Sequence, residues 1–119
     1  MQTKWLMSAM SLAVALQFMP SGAQAFECPN HFAAAQAAID KVVGDMKGDM
    51  SKRMPKADMA QVHMLLDDAK MMLAGAKHNH EKPQVGLDHG RAIAKADSAR
   101  GYAVAADVLH FKMMKMMKK

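Results

Sequence analysis

The sequence predicts an all-α protein whose helices pack as an antiparallel up-down bundle. After residue 25 the apolar side chains are mostly Ala, Leu, Val, Ile and Met, a set that is typical of helices. They recur at spacings of three and four residues, which is the period of an amphipathic helix. The breaks around Pro55 and Pro83 are short, which favours antiparallel neighbours. We expect four helices, with three helices as the alternative if the last one is a single long helix.

Residues 1–25 have the three-part pattern of a secretory signal peptide. Lys4 gives a positive start, residues 5–19 are almost wholly apolar, and Ala23-Gln24-Ala25 forms a small-residue cleavage signal. The apolar stretch is short for a membrane span, so we expect no stable membrane insertion. The prediction is a cleaved leader followed by one helical-bundle domain at 26–119 in the periplasm. An uncleaved N-terminal helix is the less favoured alternative.

The first helix of the domain is predicted to begin at Asn30, whose side chain can cap it. It is predicted to end at Met54, because a residue that precedes proline avoids helical angles. Between these points one apolar stripe alternates in steps of three and four residues. Its members are Phe32, Ala35, Ile39, Val42, Met46 and Met50.

The second helix is predicted to begin near residues 55–58, with Asp58 and Gln61 as a capping box. It has the strongest periodic signal in the chain, and Pro83 separates it from the next element. The stripe consists of Met59, Val62, Leu66, Ala69, Leu73, Ala76 and His80.

The last third of the sequence allows two interpretations. Residues 85–100 and 102–117 are each amphipathic, and Arg100-Gly101 has the composition of a helix stop. This pattern favours two helices, and therefore four in total. A glycine inside a helix costs only about 1 kcal/mol, however, so one helix over residues 84–117 is the alternative.

The run LLDDAKMMLAGAK at residues 65–77 resembles the helical repeat of the periplasmic small metal-binding protein family, and the segments at 89–96 and 101–111 are similar to it too. The resemblance covers about half of the mature chain. It implies an up-down four-helix bundle that binds copper and other divalent metals. That family carries many histidines at heptad spacing, whereas most such places here hold Asp, Met or Ala. Only His89 and His110 match the pattern.

The sequence contains no catalytic motif. The H-E-x-x-H and C-x-x-C-H motifs, a Walker loop and a G-x-S-x-G turn are all missing. Glu27 and Glu81 are the only glutamates after residue 25, which is too few for a di-iron bundle. We therefore expect a binding protein and not an enzyme.

The side chains with ligand chemistry are soft or borderline donors. One cysteine, six histidines and eleven of the fifteen methionines suit copper, with nickel or zinc less favoured. In an antiparallel bundle the start of the first helix, the end of the second and the start of the third share one end. We predict that a metal cluster forms there from Cys28, His31, His78, His80 and His89. The alternatives are ordinary surface histidines with Cys28 as a free thiol, and a Cys28–Cys28 bridge that links two chains into a homodimer.

Three further ligand candidates are His63, His110 and Met113. If the chain reverses at Gly101, His110 and the methionines of residues 113–117 return to the end that holds Cys28. If the last helix is continuous, they lie at the opposite end, near Met46 and the other early methionines. The topology of the last third therefore decides between one mixed site and two.

These patterns together predict a periplasmic metal-binding protein that buffers, stores or delivers copper. The chain has 16 Lys and Arg against 11 Asp and Glu, and the excess lies mainly at residues 112–119. Export argues against nucleic acid as a partner of these charges. The alternative function is an interaction module or chaperone-like adaptor without a metal, which uses the Met-rich basic C-terminus.

Overall fold

The computed structural model describes residues 22–119 of the chain. These residues form four helices and no strand: α1 (Gly22–Asp45), α2 (Asp49–Lys52), α3 (Lys56–Glu81) and α4 (Leu87–Met117). The predicted all-α fold is confirmed. The predicted signal peptide lies, as far as residue 21, outside the described residues.

Helix α1 does not begin at Asn30 as predicted, because the chain is already helical from Gly22 and includes Pro29 within the helix. The predicted first helix is also divided. It ends at Asp45, where Lys47 and Gly48 donate backbone hydrogen bonds to carbonyl oxygens only three residues earlier. The single turn of α2 follows. Glycines at 44 and 48 favour this interruption, since glycine is a weak helix former.

Helix α3 agrees closely with its predicted stripe. The buried residues are Val62, Leu66, Ala69, Leu73 and Ala76, while Met59 and His80 at the two ends are partly buried. The helix begins just after Pro55, whose carbonyl oxygen accepts hydrogen bonds from the backbone N–H groups of Asp58 and Met59. Asp58 therefore lies in the first turn and does not form the predicted capping box.

Helix α4 is continuous for 31 residues, so the predicted stop at Arg100-Gly101 is wrong and the single long helix is correct. Gly101 is exposed and helical. The fourth helix of the fold is instead the short α2. The middle of the buried stripe of α4, from Ala92 to Ala106, consists of alanines, while Val104, Val108 and Phe111 are exposed on other faces. Apolar residues therefore surround α4, which makes its boundaries hard to recognise from periodicity.

Replacing Gly101 with Ala is expected to raise the free energy of unfolding by about 0.5–1 kcal/mol, because alanine is the better helix former. A methyl group at this position has no neighbouring atom within 4 Å. Urea denaturation followed by circular dichroism measures the change. A loss of stability would instead indicate that Gly101 has a left-handed backbone conformation and ends a helix.

Helix α4 packs against both α1 and α3, which also contact each other. Its inner face is mostly alanine, and such small side chains let the helix axes approach closely. The core contains larger side chains of α1 and α3, among them Ile39, Val42 and Leu66. The buried alanines of α4 are Ala92, Ala96, Ala99, Ala103 and Ala106.

Contacts between the helices show which ends share a neighbourhood. Near the start of α1, Cys28 contacts the backbone of His89 at the start of α4. Further along α1, Lys41 forms an ion pair with Asp107, which lies further along α4. His80, at the end of α3, stacks against both Phe32 and His89. The end of α3 thus lies beside the starts of α1 and α4. None of the described helices has the length and hydropathy that crossing a membrane requires.

Candidate metal centre

Three side chains from three helices meet at this shared end. They are Cys28 of α1, His80 of α3 and His89 of α4, and one potential ligand atom of each lies within 4.8 Å of the other two. Cys28 is fully buried, and both histidines are partly buried. The group therefore combines one sulfur with two imidazole nitrogens in a site that is largely shielded from water.

The Cys28 thiol is buried beside His80 and His89. Burial raises the pKa of the thiol, and the nearby carboxylate of Glu27 adds to this increase, while a backbone hydrogen bond acts in the opposite direction. The Sγ atom donates a weak hydrogen bond to the carbonyl oxygen of His89 at 3.7 Å. In the absence of a metal the sulfur is therefore a protonated thiol at neutral pH.

The two histidines each have a buried nitrogen that lacks a hydrogen-bond partner among the described residues. These atoms are Nδ1 of His80 and Nδ1 of His89. The two rings lie 5.5 Å apart at 70°, and Phe32 meets His80 edge-on at the same centroid distance. A buried polar atom without a partner costs about 1–3 kcal/mol, so this arrangement requires an explanation. A bound metal ion would supply one, because neutral imidazole nitrogen is a metal ligand.

Asp88 holds the start of α4 in place next to His89. Its carboxylate accepts hydrogen bonds from the backbone N–H groups of Gln84 and Val85 and pairs with Arg91 at 3.0 Å. The two backbone N–H groups are the main reason that the pKa of Asp88 lies below its usual value. Sequence reasoning did not identify this role. The sequence feature that could have indicated it is an acidic residue in the first turn of a helix, three residues before an arginine.

Two side-chain contacts were also missed, that of Phe32 with His80 and that of Asp97 with His31. Asp97 accepts a hydrogen bond from Nδ1 of His31 at 2.7 Å. His31 is therefore held at the α1–α4 surface and does not join the three-residue group, in contrast to the prediction. No sequence signal identifies this pair, since its members are 66 residues apart.

His78 is likewise outside the group, in contrast to the prediction, and its side chain is exposed. The prediction assumed that α3 ends near this residue and lets both rings turn inward. The helix instead continues to Glu81, so His78 and His80 are about 200° apart around its axis.

The remaining candidates lie away from the cluster. His110 and Met113 are about 32 Å and about 36 Å along α4 from His89, because the helix is continuous. His110 is buried with its Nε2 atom 2.7 Å from the Ser51 hydroxyl, which also lies 3.0 Å from the carbonyl oxygen of Asp45. Met113 is buried in the core, and His63 is exposed. These three predicted ligands do not contribute to the group.

The predicted alternative of a Cys28–Cys28 bridge between two chains is not supported. The side chain of Cys28 has no exposed surface. A second chain would need access to the sulfur atom, which is buried beside His80 and His89.

Comparison of the chain with protein-family models, with curated proteins and with solved structures found no match. The resemblance of residues 65–77 to the periplasmic small metal-binding protein family therefore stays a prediction.

Proposed function

We propose that this protein binds one copper ion through Cys28, His80 and His89 and thereby buffers, stores or delivers copper in the periplasm. One observation carries the proposal. Three ligand atoms from three different helices lie within 4.8 Å of one another, and two of the residues also have buried ring nitrogens without a hydrogen-bond partner in residues 22–119.

The donor set favours copper over zinc. A thiolate with two imidazoles in a trigonal arrangement is a ligand set that copper uses in proteins, and thiolate sulfur favours Cu(I). Structural zinc is almost always bound by four protein ligands. Among the described residues, this group contains three His, Cys, Asp or Glu side chains. Zinc and nickel are therefore expected to bind more weakly than copper.

The spacing of the ligand atoms is close to what one ion requires. Bonds of about 2.0–2.3 Å to a central metal place trigonal ligands about 3.5–4 Å apart. Since the present pair distances are at most 4.8 Å, each needs to shorten by no more than about 1 Å. Small rotations about the side-chain bonds of His80 and His89 can provide this movement, since χ2 of histidine is a soft torsion.

The periplasmic location in this proposal rests on the predicted signal peptide. The position of Pro29 is consistent with cleavage of that peptide. A proline inside a helix lacks a donor and costs about 3 kcal/mol. Cleavage after Ala25 would leave Pro29 as the fourth residue, in the first turn, where backbone N–H groups have no helical partner anyway. Intact mass measurement of the periplasmic protein tests this step, and retention of residues 1–25 would contradict it.

The arrangement proposed for the long helices is an antiparallel up-down packing of α1, α3 and α4. The order of the contacts supports it, because the end of α3 meets the starts of α1 and α4 at His80. The metal site then joins all three helices at one end of the packing, and metal binding is expected to stabilise the fold.

Titration of the purified protein with Cu(I) against a chromophoric chelator tests the function. We expect one ion per chain and a dissociation constant well below about 1 μM, a binding free energy beyond about −8 kcal/mol. Parallel titrations with Zn(II) and Ni(II) should give weaker binding. No binding of Cu(I) tighter than micromolar would contradict the proposal.

Copper affinity is expected to rise with pH. Because burial raises the pKa of the Cys28 thiol, the proton is still bound at neutral pH and must leave when the thiolate binds the ion. The apparent affinity should therefore increase about tenfold per pH unit below the thiol pKa, with about one proton released per ion. Competition titrations at about pH 7 and pH 8 measure the slope. An affinity independent of pH would show that the thiol is not a ligand.

A second candidate function is an interaction module without a metal, and the exposed apolar end of α4 favours it. Phe111 is 63% exposed and Met116 is 65% exposed, next to the basic residues of the C-terminus. Replacing both with Ser should abolish capture of a specific partner, whereas Cys28→Ala should leave that capture unchanged. Unchanged capture by the Ser variant would contradict this candidate.

A further inference from the structure

A groove far from the copper site is lined by three methionines, Met46, Met54 and Met59, together with Val43 and Leu66. We call it the methionine groove. It lies between the end of α1, the α2 segment and the start of α3, and it has a volume of about 470 Å³. This volume falls within the usual range for small-molecule sites, about 300–1,000 Å³.

The rim of the methionine groove is positively charged. The lining contains no aspartate or glutamate. It contains four lysines, which are Lys47, Lys52, Lys56 and Lys70. Lys52 pairs with Asp49 at 3.3 Å and Lys70 approaches Asp67 at 3.9 Å. All four of these side chains are exposed to solvent. Among the described residues, Lys47 and Lys56 form no ion pair.

The charge of the rim decides between two kinds of ligand. Three thioethers and His63, which also lines the groove, are donors that suit Cu(I), but the ammonium groups of Lys47 and Lys56, which form no described ion pair, repel a cation. The same ammonium groups attract an anion. The groove thus combines an apolar floor with a cationic rim, which is complementary to a molecule that has an alkyl part and a negative head.

We propose that the methionine groove binds one single-chain fatty acid. The alkyl chain would lie along Met46, Met54 and Met59, whose flexible unbranched side chains adapt to an unbranched ligand. The carboxylate would lie between Lys47 and Lys56, the two lysines of the rim without a described ion pair. This site is independent of Cys28 and of copper.

Calorimetric titration of the copper-free protein with dodecanoate, below its micelle concentration, tests the proposal. We expect saturable binding of one molecule per chain and much weaker binding of dodecyltrimethylammonium, which has the same chain with the opposite charge. Methyl-labelled methionine in NMR spectra should show shifts at Met46, Met54 and Met59. The exposed Met64 and Met71 serve as internal controls and should not shift.

A matched pair of charge reversals completes the test. Lys47→Glu with Lys56→Glu should weaken dodecanoate binding by at least about tenfold, since both changes place a negative charge at the rim. Lys77→Glu with Lys82→Glu changes the net charge equally, lies at the opposite end of α3 from the groove, and should alter affinity by less than about twofold. All four lysines are exposed, so both variants are expected to fold.

Three results would overturn the proposal. The first is equal binding of dodecanoate and dodecyltrimethylammonium. The second is an equal loss of affinity in the two charge-reversal pairs. The third is binding to anionic phosphatidylglycerol vesicles without any binding of free dodecanoate, which would assign the lysines to a membrane surface.

Discussion

Replacing Cys28 with Ala is expected to weaken Cu(I) binding by at least about 100-fold. Loss of a residue that only supports a metal ligand typically costs 10–100-fold in affinity, and loss of the ligand itself should cost more. His80→Ala and His89→Ala should have effects of similar size, because each removes one of three donors in the group. Chelator competition with each purified variant measures these changes.

The chain provides two matched controls for this prediction. His78 is two residues from His80 but exposed, and His31 is one turn from Cys28 but bonded to Asp97. His78→Ala and His31→Ala should each leave the Cu(I) affinity within about threefold of wild type, since neither side chain belongs to the group. A loss in the controls as large as in the ligand variants would place the copper elsewhere.

Replacing Leu66 with Ala is expected to lower the free energy of unfolding by about 2–5 kcal/mol. Leu66 is 1% exposed and lies within the cluster that joins α1, α3 and α4. Its truncation removes apolar contacts and leaves a cavity that rigid neighbouring helices fill only in part. Because a domain of this size has a total stability of about 5–15 kcal/mol, the loss is a large fraction of it.

Urea denaturation of the copper-free protein measures this effect without a contribution from the ligand. Met64→Ala, two residues earlier on the same helix, is the control, since Met64 is 68% exposed. It should change stability by less than about 0.5 kcal/mol. Similar effects at both positions would show that the buried face of α3 is assigned incorrectly.

The sequence was most informative where large apolar residues and polar residues alternate cleanly. The stripe of α3 from Val62 to Ala76 was predicted residue by residue and is buried as expected. Helix α4 was harder, because its buried face is alanine and its exposed faces include Val104 and Phe111. A glycine at 101 then looked like a helix end, although packing against two neighbouring helices keeps the chain helical through it.

The sequence predicted where the candidate site lies, but it did not predict correctly every residue that forms the site. Helix order alone was enough to bring Cys28, His80 and His89 to one end. The orientation of each histidine depends on details that a single sequence does not reveal. His31 is held by Asp97, 66 residues away, and His78 depends on where α3 ends.

X-ray absorption spectroscopy of the copper-loaded protein tests the central claim most directly, because it counts the atoms bound to the metal. Binding through Cys28, His80 and His89 predicts one sulfur and two imidazole nitrogens around each copper ion, at about 2.0–2.3 Å. The sulfur contribution should disappear in Cys28→Ala. A copper shell of several sulfurs, which would indicate methionines, or of nitrogen and oxygen without sulfur would contradict the claim.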